Sequence, residues 1–327
     1  MKGRWVLGVD IGGTNLVVAA VPLTGGKPAA IRSEPTYPER GPEDAVKRIA
    51  SMAEGVVEQT LKAEGGCQED FAGVGIGCPG ALDLDQGVIV STPNLGWDGF
   101  PIRSRISSAL ELPASLDNDA NCATFAEWWL GAGQGVESLV GVTIGTGIGG
   151  GYLERGQLMR GASGSAFELG HTTINFEGRT CACGNRGCLE AYASGPSIAA
   201  RARDALTIGD KSVLSAMVEG DLNRITAETV YDALLDGDAL SARLIHETAE
   251  LLGIGLANVV NLFNPEMIVL VGGVTRAAEY LLDPLRESLS NRAFSSAVDA
   301  CQIVPGSLPA TAGVIGAAGV FVIDEVA

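Results

Sequence analysis

The sequence is short of positive charge. Only 22 Lys and Arg stand against 39 Asp and Glu, a formal net charge of −17 over 327 residues. That balance argues against DNA or an anionic membrane surface as partner, because both demand basic patches. It leaves phosphate binding open, since backbone N–H groups can hold phosphates without cationic side chains. Also missing is any run of about 18 apolar residues, which excludes a transmembrane helix. There is no secretory signal: Lys2 and Arg4 precede an apolar run, but Asp10 interrupts it and no small-residue cleavage site follows. A cytoplasmic location is therefore expected. No linker-like or charge-rich boundary divides the chain.

What the chain has in plenty is glycine. It has 45 Gly, some of them clustered as in IGGTN, IGTGIGGG and VGGV, where the backbone can approach a ligand closely. The length suits two ordinary domains or one large two-lobed unit. WVLGVDIGGTNLVVAAV reads as strand, tight turn, strand. GPEDAVKRIASMAEGVVEQTLKAEG has helical spacing and ends in Gly65-Gly66. FAGVGIGCPGALD is a buried strand entering a Pro-Gly turn. LPASLDNDANCATFAEWWLGAG is a strand entering a helix, with Asn118 and Asp119 at the junction. SLVGVTIGTGIGGGYLERG repeats the strand–turn–strand frame, so VDIG at 9–12 and VTIG at 142–145 suggest two related halves facing a common ligand. A helix near 238–263, the strand MIVLVGGV and a small-residue helix in PATAGVIGAAGVFV follow. Strands alternating with helices in both halves indicate an α/β architecture. The lobe junction is placed at residue 117: an α/β lobe over 1–117, completed by a C-terminal helix at 310–327, and a larger lobe over 118–309.

Four stretches carry possible chemistry. In DIGGTN, Asp10 arrives at a turn where Gly12 and Gly13 leave the N–H groups open to a phosphate. Thr14 adds a donor, and Asp10 is placed for a Mg²⁺ accompanying the phosphate. This turn is neither a Walker loop nor a GxGxxG fingerprint, and on its own it reads equally as a hairpin. IGTGIGGG repeats the pattern, and the two in matching frames favour a phosphate clamp. In LDNDANCATFAE, Asp119 reads either as a helix cap or as a general base, with Asn118 orienting the same substrate.

The fourth stretch, residues 171–190, is HTTINFEGRTCACGNRGCLE. His171, Cys181, Cys183 and Cys188, with Gly184 and Gly187 between the last thiols, have the tight spacing of a tetrahedral Zn²⁺ knuckle. A C-x-x-C redox pair is absent. The other four cysteines, Cys67, Cys78, Cys122 and Cys301, are dispersed and read as buried thiols in a reducing compartment. Four protein ligands leave no open position, so the zinc is structural rather than catalytic. Glu168 and Glu190 bracket the knuckle, which would carry both to defined places.

Together DIGGTN, GCPG, TPNLGW, DNDAN, IGTGIGGG, ELGH, CxCGNRGCLE and VLVGGV resemble the ROK family of sugar kinases and repressors, within the actin-like ATPase and hexokinase superfamily. The resemblance implies a two-lobed actin-like (ribonuclease H-like) ATPase fold with the active site in the interlobe cleft. It implies Asp119 as catalytic base. Sugar contacts would come from Gly80, Asn94, Asn118, Asp119, Glu168, His171 and Glu190. Nucleotide contacts would come from Asp10, Gly12, Gly13, Thr14, Asn15, Thr146, Gly147, Gly272 and Gly273. His171, Cys181, Cys183 and Cys188 would hold the zinc. The cofactors implied are ATP, Mg²⁺ and structural Zn²⁺. The expected reaction is phosphorylation of a hexose on its 6-hydroxyl. GCLEAYASG resembles the family's glucokinases, which puts glucose first, ahead of N-acetylmannosamine, N-acetylglucosamine, fructose and mannose. Polyphosphate as donor would prefer a basic groove, and the charge speaks against it. Only nine residues precede Asp10, too few for a helix-turn-helix, which favours an enzyme over a sugar-binding regulator. A zinc-stabilised interaction protein would leave both Gly turns unexplained. The family resemblance also implies a homodimer or homotetramer.

Overall fold

The computed structural model describes residues 4–92, 94–308 and 311–325. It divides into two compact units. The first comprises residues 1–135, 151–167 and 310–327, the second residues 136–150 and 168–309.

In the first unit β1 (Trp5–Ile11), β2 (Asn15–Pro22) and β3 (Ala30–Pro35) form an antiparallel meander. Helix α1 (Pro42–Glu64) then crosses back so that β4 (Phe71–Cys78) can lie parallel to β1. Its start is set by Pro42 with Glu43 and Asp44 in the first turn, and Gly65 closes it by donating to Leu61 O. The face it buries is Ala45, Ile49, Met52, Ala53 and Val56, at helical spacing. A small hairpin of β5 (Ala81–Asp83) and β6 (Val88–Ser91) precedes α2 (Ile102–Leu110). Strand β7 (Ala114–Asn118) follows, parallel to β4, and runs into α3 (Asp119–Trp129). The sheet order is β3-β2-β1-β4-β7.

β1 and β4 are buried almost throughout because both faces of this sheet are covered. One face packs on α1. The other meets the closing helix Ala312–Glu325, whose backbone lies directly on the sheet. A Cβ at Gly75 would sit 1.7 Å from Ala317 O, and one at Gly8 2.0 Å from Val314 O. The same helix meets α3, where a Cβ at Gly316 would sit 1.7 Å from Cys122 O. The small-residue composition of the tail thus serves close packing on two sides. Gly316→Ala is expected to cost about 1–3 kcal/mol by overpacking, read as a lower melting temperature.

This packing also moves the boundary. The expected division at residue 117 cuts between β7 and α3, but α3 packs on the closing helix, so the first unit runs on to residue 135 and takes in 151–167. Residues 310, 326 and 327 of the expected C-terminal helix, and Pro93 of TPNLGW, lie outside the described residues.

The second unit is built on β8 (Ser138–Ile144), the start of β9 (Ile148–Glu154), β11 (Met267–Gly272) and β12 (Gln302–Pro305). With β10 (Gln157–Leu158) the sheet order is β10-β9-β8-β11-β12, and β8, β11 and β12 run parallel. The pattern repeats the first sheet: a strand pair joined by a Gly turn, one further strand outside it, and two parallel strands on the other side. The resemblance of VDIG to VTIG is therefore a resemblance of topology. Helix Ala239–Phe263, capped by Asp238 at the Ser241 amide, packs along Ala278–Ser290. Among the described residues no helix is long and apolar enough to cross a membrane.

Candidate active site

The first unit presents one group of expected residues. Asp10 is the last residue but one of β1, half-buried at the mouth of the Gly turn. Burial, then the charge of Asp119, push its carboxyl up to about 7. Gly13, Thr14 and Asn15 are exposed and Gly12 is half-buried. The turn is tied at both ends: Gly12 N donates to Asn15 O at 2.9 Å, and Thr36 donates its hydroxyl to Gly12 O at 2.6 Å and its N–H to Thr14 O at 2.8 Å. Thr36 is fully buried, and Arg48 donates to the carbonyls of Pro35 and Thr36 behind it. Sequence reading missed Thr36, because it sits 24 residues from Gly12 in a stretch without periodicity. Asn94 is exposed beside Gly13, and half-buried Gly80 lies against the Ser91 and Thr92 backbone.

Asn118 and Asp119 stand at the β7–α3 junction as expected, with their roles divided. Asn118, not Asp119, is the N-cap: its Oδ1 accepts from Ala120 N at 2.8 Å. Asp119 is the first helical residue, half-buried, with Oδ1 2.9 Å from the same amide.

The second unit presents the rest. Thr146 is exposed and Gly147 half-buried in the β8–β9 turn. Gly145 N donates to Gly147 O, and Gly195 N to Gly145 O, both at 2.9 Å. Gly272 ends β11 against Ile144, and exposed Gly273 follows. Beside these lies a cavity of about 710 Å³, lined by Thr146, Gly273, Arg276 and the apolar side chains of Ile198, Ile225 and Tyr231. Its volume and mixed lining suit a nucleoside.

The knuckle closes as the spacing predicted. One ligand atom from each of His171, Cys181, Cys183 and Cys188 falls within 4.8 Å of the others. Cys183 and Cys188 sulfurs are 3.7 Å apart, and Cys181 Sγ is 3.8 Å from His171 Nδ1. A tetrahedral zinc with Zn–S near 2.3 Å and Zn–N near 2.1 Å requires about 3.8 Å and about 3.6 Å. Burial foremost pushes the Cys181 thiol up to about 12, and a coordinated metal would deprotonate it. The donor set fits zinc. Gly187 turns the loop at φ 80°, with its Cα against Asn175 O, where no side chain fits.

Glu168 has an exposed side chain, yet its carboxyl is held above its ordinary value by desolvation and then by Glu190, against the pull of His171. Glu190 does more than bracket the knuckle. Its Oε2 accepts from Ile148 N at 2.9 Å, across 42 residues, and so binds the knuckle to the β8–β9 turn. Of the dispersed cysteines, Cys78 and Cys122 are buried as expected. Cys67 is exposed and Cys301 half-buried, since a short turn at the end of α1 and the edge of β12 give them no cover.

The family model described as ROK family matches residues 6–323. A glucokinase of Halalkalibacterium halodurans is 35% identical over 317 residues, 97% of this chain and 94% of that protein. A xylose repressor of Caldicellulosiruptor bescii is 34% identical over 287 residues, covering 86% of this chain and 70% of the repressor. The structure of a ROK family glucokinase from Streptomyces griseus, in complex with glucose and AMPPNP, superposes with a TM-score of 0.82 at 30% identity over 96% of this chain and 98% of that one. The match runs through both sheets, both Gly turns and the zinc knuckle, and the chain belongs to the ROK family.

Proposed function

We propose that this protein is an ATP-dependent sugar kinase that converts glucose to glucose 6-phosphate. The observation that carries the reading is Asp119, a half-buried carboxylate on the first turn of a helix that Asn118 already caps. With Asn118 as the cap, we read the Asp119 carboxylate as the general base. In the reaction Asp119 accepts the proton of the 6-hydroxyl as that oxygen attacks the γ-phosphorus of ATP; the bond from that phosphorus to the oxygen bridging to the β-phosphate breaks, and ADP leaves with the bridging oxygen. We assign phosphate contacts to the amides of Gly12, Gly13 and Thr14 and to those of Thr146 and Gly147, and the nucleoside to the cavity that Gly273 lines. Asn94, Asn118, Glu168, His171 and Glu190, with the Gly80 backbone, hold the sugar hydroxyls. Zinc held by one His171 ring nitrogen would leave the other nitrogen as an N–H donor, which we assign to the sugar. Asp10 would hold Mg²⁺, which supplies charge neutralisation on the phosphates. The rest is positioning, the larger part of phosphoryl transfer. The protein is proposed to act in the cytoplasm as a homodimer or homotetramer, which sedimentation checks.

A coupled assay tests this with glucose, mannose, fructose, N-acetylglucosamine, N-acetylmannosamine and xylose against ATP and polyphosphate. Turnover highest with glucose and ATP is expected. Binding of a sugar without turnover of any would sink the enzyme reading and favour a regulator, the role named for the xylose repressor relative.

A pH dependence follows from Asp10. A metal ligand must be deprotonated, and this carboxyl holds its proton until about pH 7. The KM for Mg²⁺–ATP is expected to rise as pH falls through 7, approaching tenfold per unit, and to level off above it. A KM that stays flat from pH 6 to 8.5 would remove Asp10 from the metal.

A further inference from the structure

Behind the base turn lies a charge cluster that the mechanism above does not use. Asp117 precedes Asn118 in β7 and is fully buried. Its Oδ1 accepts from Asn118 N at 2.7 Å and from Asn121 Nδ2 at 2.8 Å. One oxygen therefore holds the residue before Asp119 and the residue two after it. Its Oδ2 accepts from Arg160 Nε at 2.6 Å. Arg160 in turn donates from Nη2 to Asp324 Oδ1 at 2.9 Å, on the closing helix. Arg160 O also accepts from Ala166 N at 3.2 Å, closing a loop that ends two residues ahead of Glu168 in the chain.

We propose that Asp117 and Arg160 are positioning residues for phosphoryl transfer: the pair clamps the β7–α3 turn and so fixes Asp119 in its working geometry. The clamp needs Arg160 to match the buried charge of Asp117, with the partly exposed Asp324 as the second anchor of the guanidinium. A buried carboxylate keeps its place only with a partner, and an unpaired one pulls in water or rearranges its surroundings. The fork of arginine suits the task, since it reaches Asp117 and Asp324 together, whereas a lysine is a point charge that reaches one at a time. A displacement of about 1 Å at a reacting group can cost about 10²-fold in rate.

The inference rests on Asp119 being the base, and the experiment keeps the two apart. Turnover of glucose by the unaltered protein reads the proposed function; ratios between variants read the clamp. Arg160→Met is expected to lower kcat about 10²-fold with the KM for ATP little changed. The double variant Asp117→Asn/Arg160→Met removes both charges. It is expected to regain kcat to within about tenfold of the unaltered protein, because the amide oxygen introduced at position 117 still accepts from Asn118 N. Melting curves establish that each variant is folded. An Arg160→Met protein with unaltered kcat overturns the proposal, as does a folded double variant as slow as the single one. Should Arg160→Met fail to fold, Arg160→Lys decides. A kcat several-fold lower at unchanged KM for ATP supports the clamp, and an unaltered kcat overturns it.

Discussion

Alanine in place of Asp119 is expected to lower kcat by about 10²–10⁴, the scale of a lost general base. Stability should hardly change. Asn118 supplies the cap of α3 through its own Oδ1, and that bond survives the substitution. The melting temperature should therefore stay within a few degrees, which separates loss of chemistry from loss of fold. Asn in place of Asp119 sharpens the test. It keeps the size of the side chain and an oxygen for Ala120 N, but it cannot take a proton. Both variants should be slow at saturating ATP and sugar. An Asn variant with near-full turnover would mean that Asp119 holds the sugar rather than activating it.

Removing the zinc should have the largest effect on stability. Structural zinc binds zinc-finger peptides with about 10–16 kcal/mol, and that free energy is folding free energy. Here a larger unit surrounds the knuckle, so its loss should unfold the loop rather than the whole chain. Cys188→Ser is the variant of choice, because this sulfur is fully buried and lies 3.7 Å from Cys183. The expected outcome is one zinc per chain in the unaltered protein and none in the variant, by elemental analysis, with a melting temperature many degrees lower. The KM for sugar should rise first, through His171 and Glu168. The KM for ATP should follow, because Glu190 binds the knuckle to the β8–β9 turn. A metal-free protein with unaltered sugar affinity would leave the knuckle without the role assigned to it.

The sequence made legible whatever is local. The knuckle lies within 18 residues, the turn of DIGGTN within six, and the base beside its own helix start; spacing and residue type suffice for these. The long helices at 42–64 and 239–263 followed from periodicity and their caps. What stayed hidden is held across long separations by residues that look ordinary one at a time. Arg160 reads as a surface charge until it meets Asp117, 43 residues away, and Asp324, 164 residues away. Thr36 and the second bond of Glu190 are of the same kind. The boundary at 117 failed for this reason too. Nothing near α3 announces that its neighbour is a helix almost two hundred residues further on, met through Gly316.

That distant helix also bears on how the chain acquires its structure during synthesis. The sheet of β1, β2, β3, β4 and β7 is complete once residue 118 has been made, yet one of its faces is bare until residues 312–325 emerge. At about 5–20 residues per second, that face waits on the order of ten seconds or longer. During that interval Gly8 and Gly75 expose a smooth strip of strand backbone and apolar neighbours, the kind of surface that chaperones hold. The second unit has no such debt to the chain end, because its helices are all made before residue 309. Translation order thus makes the unit that begins the chain the last to close.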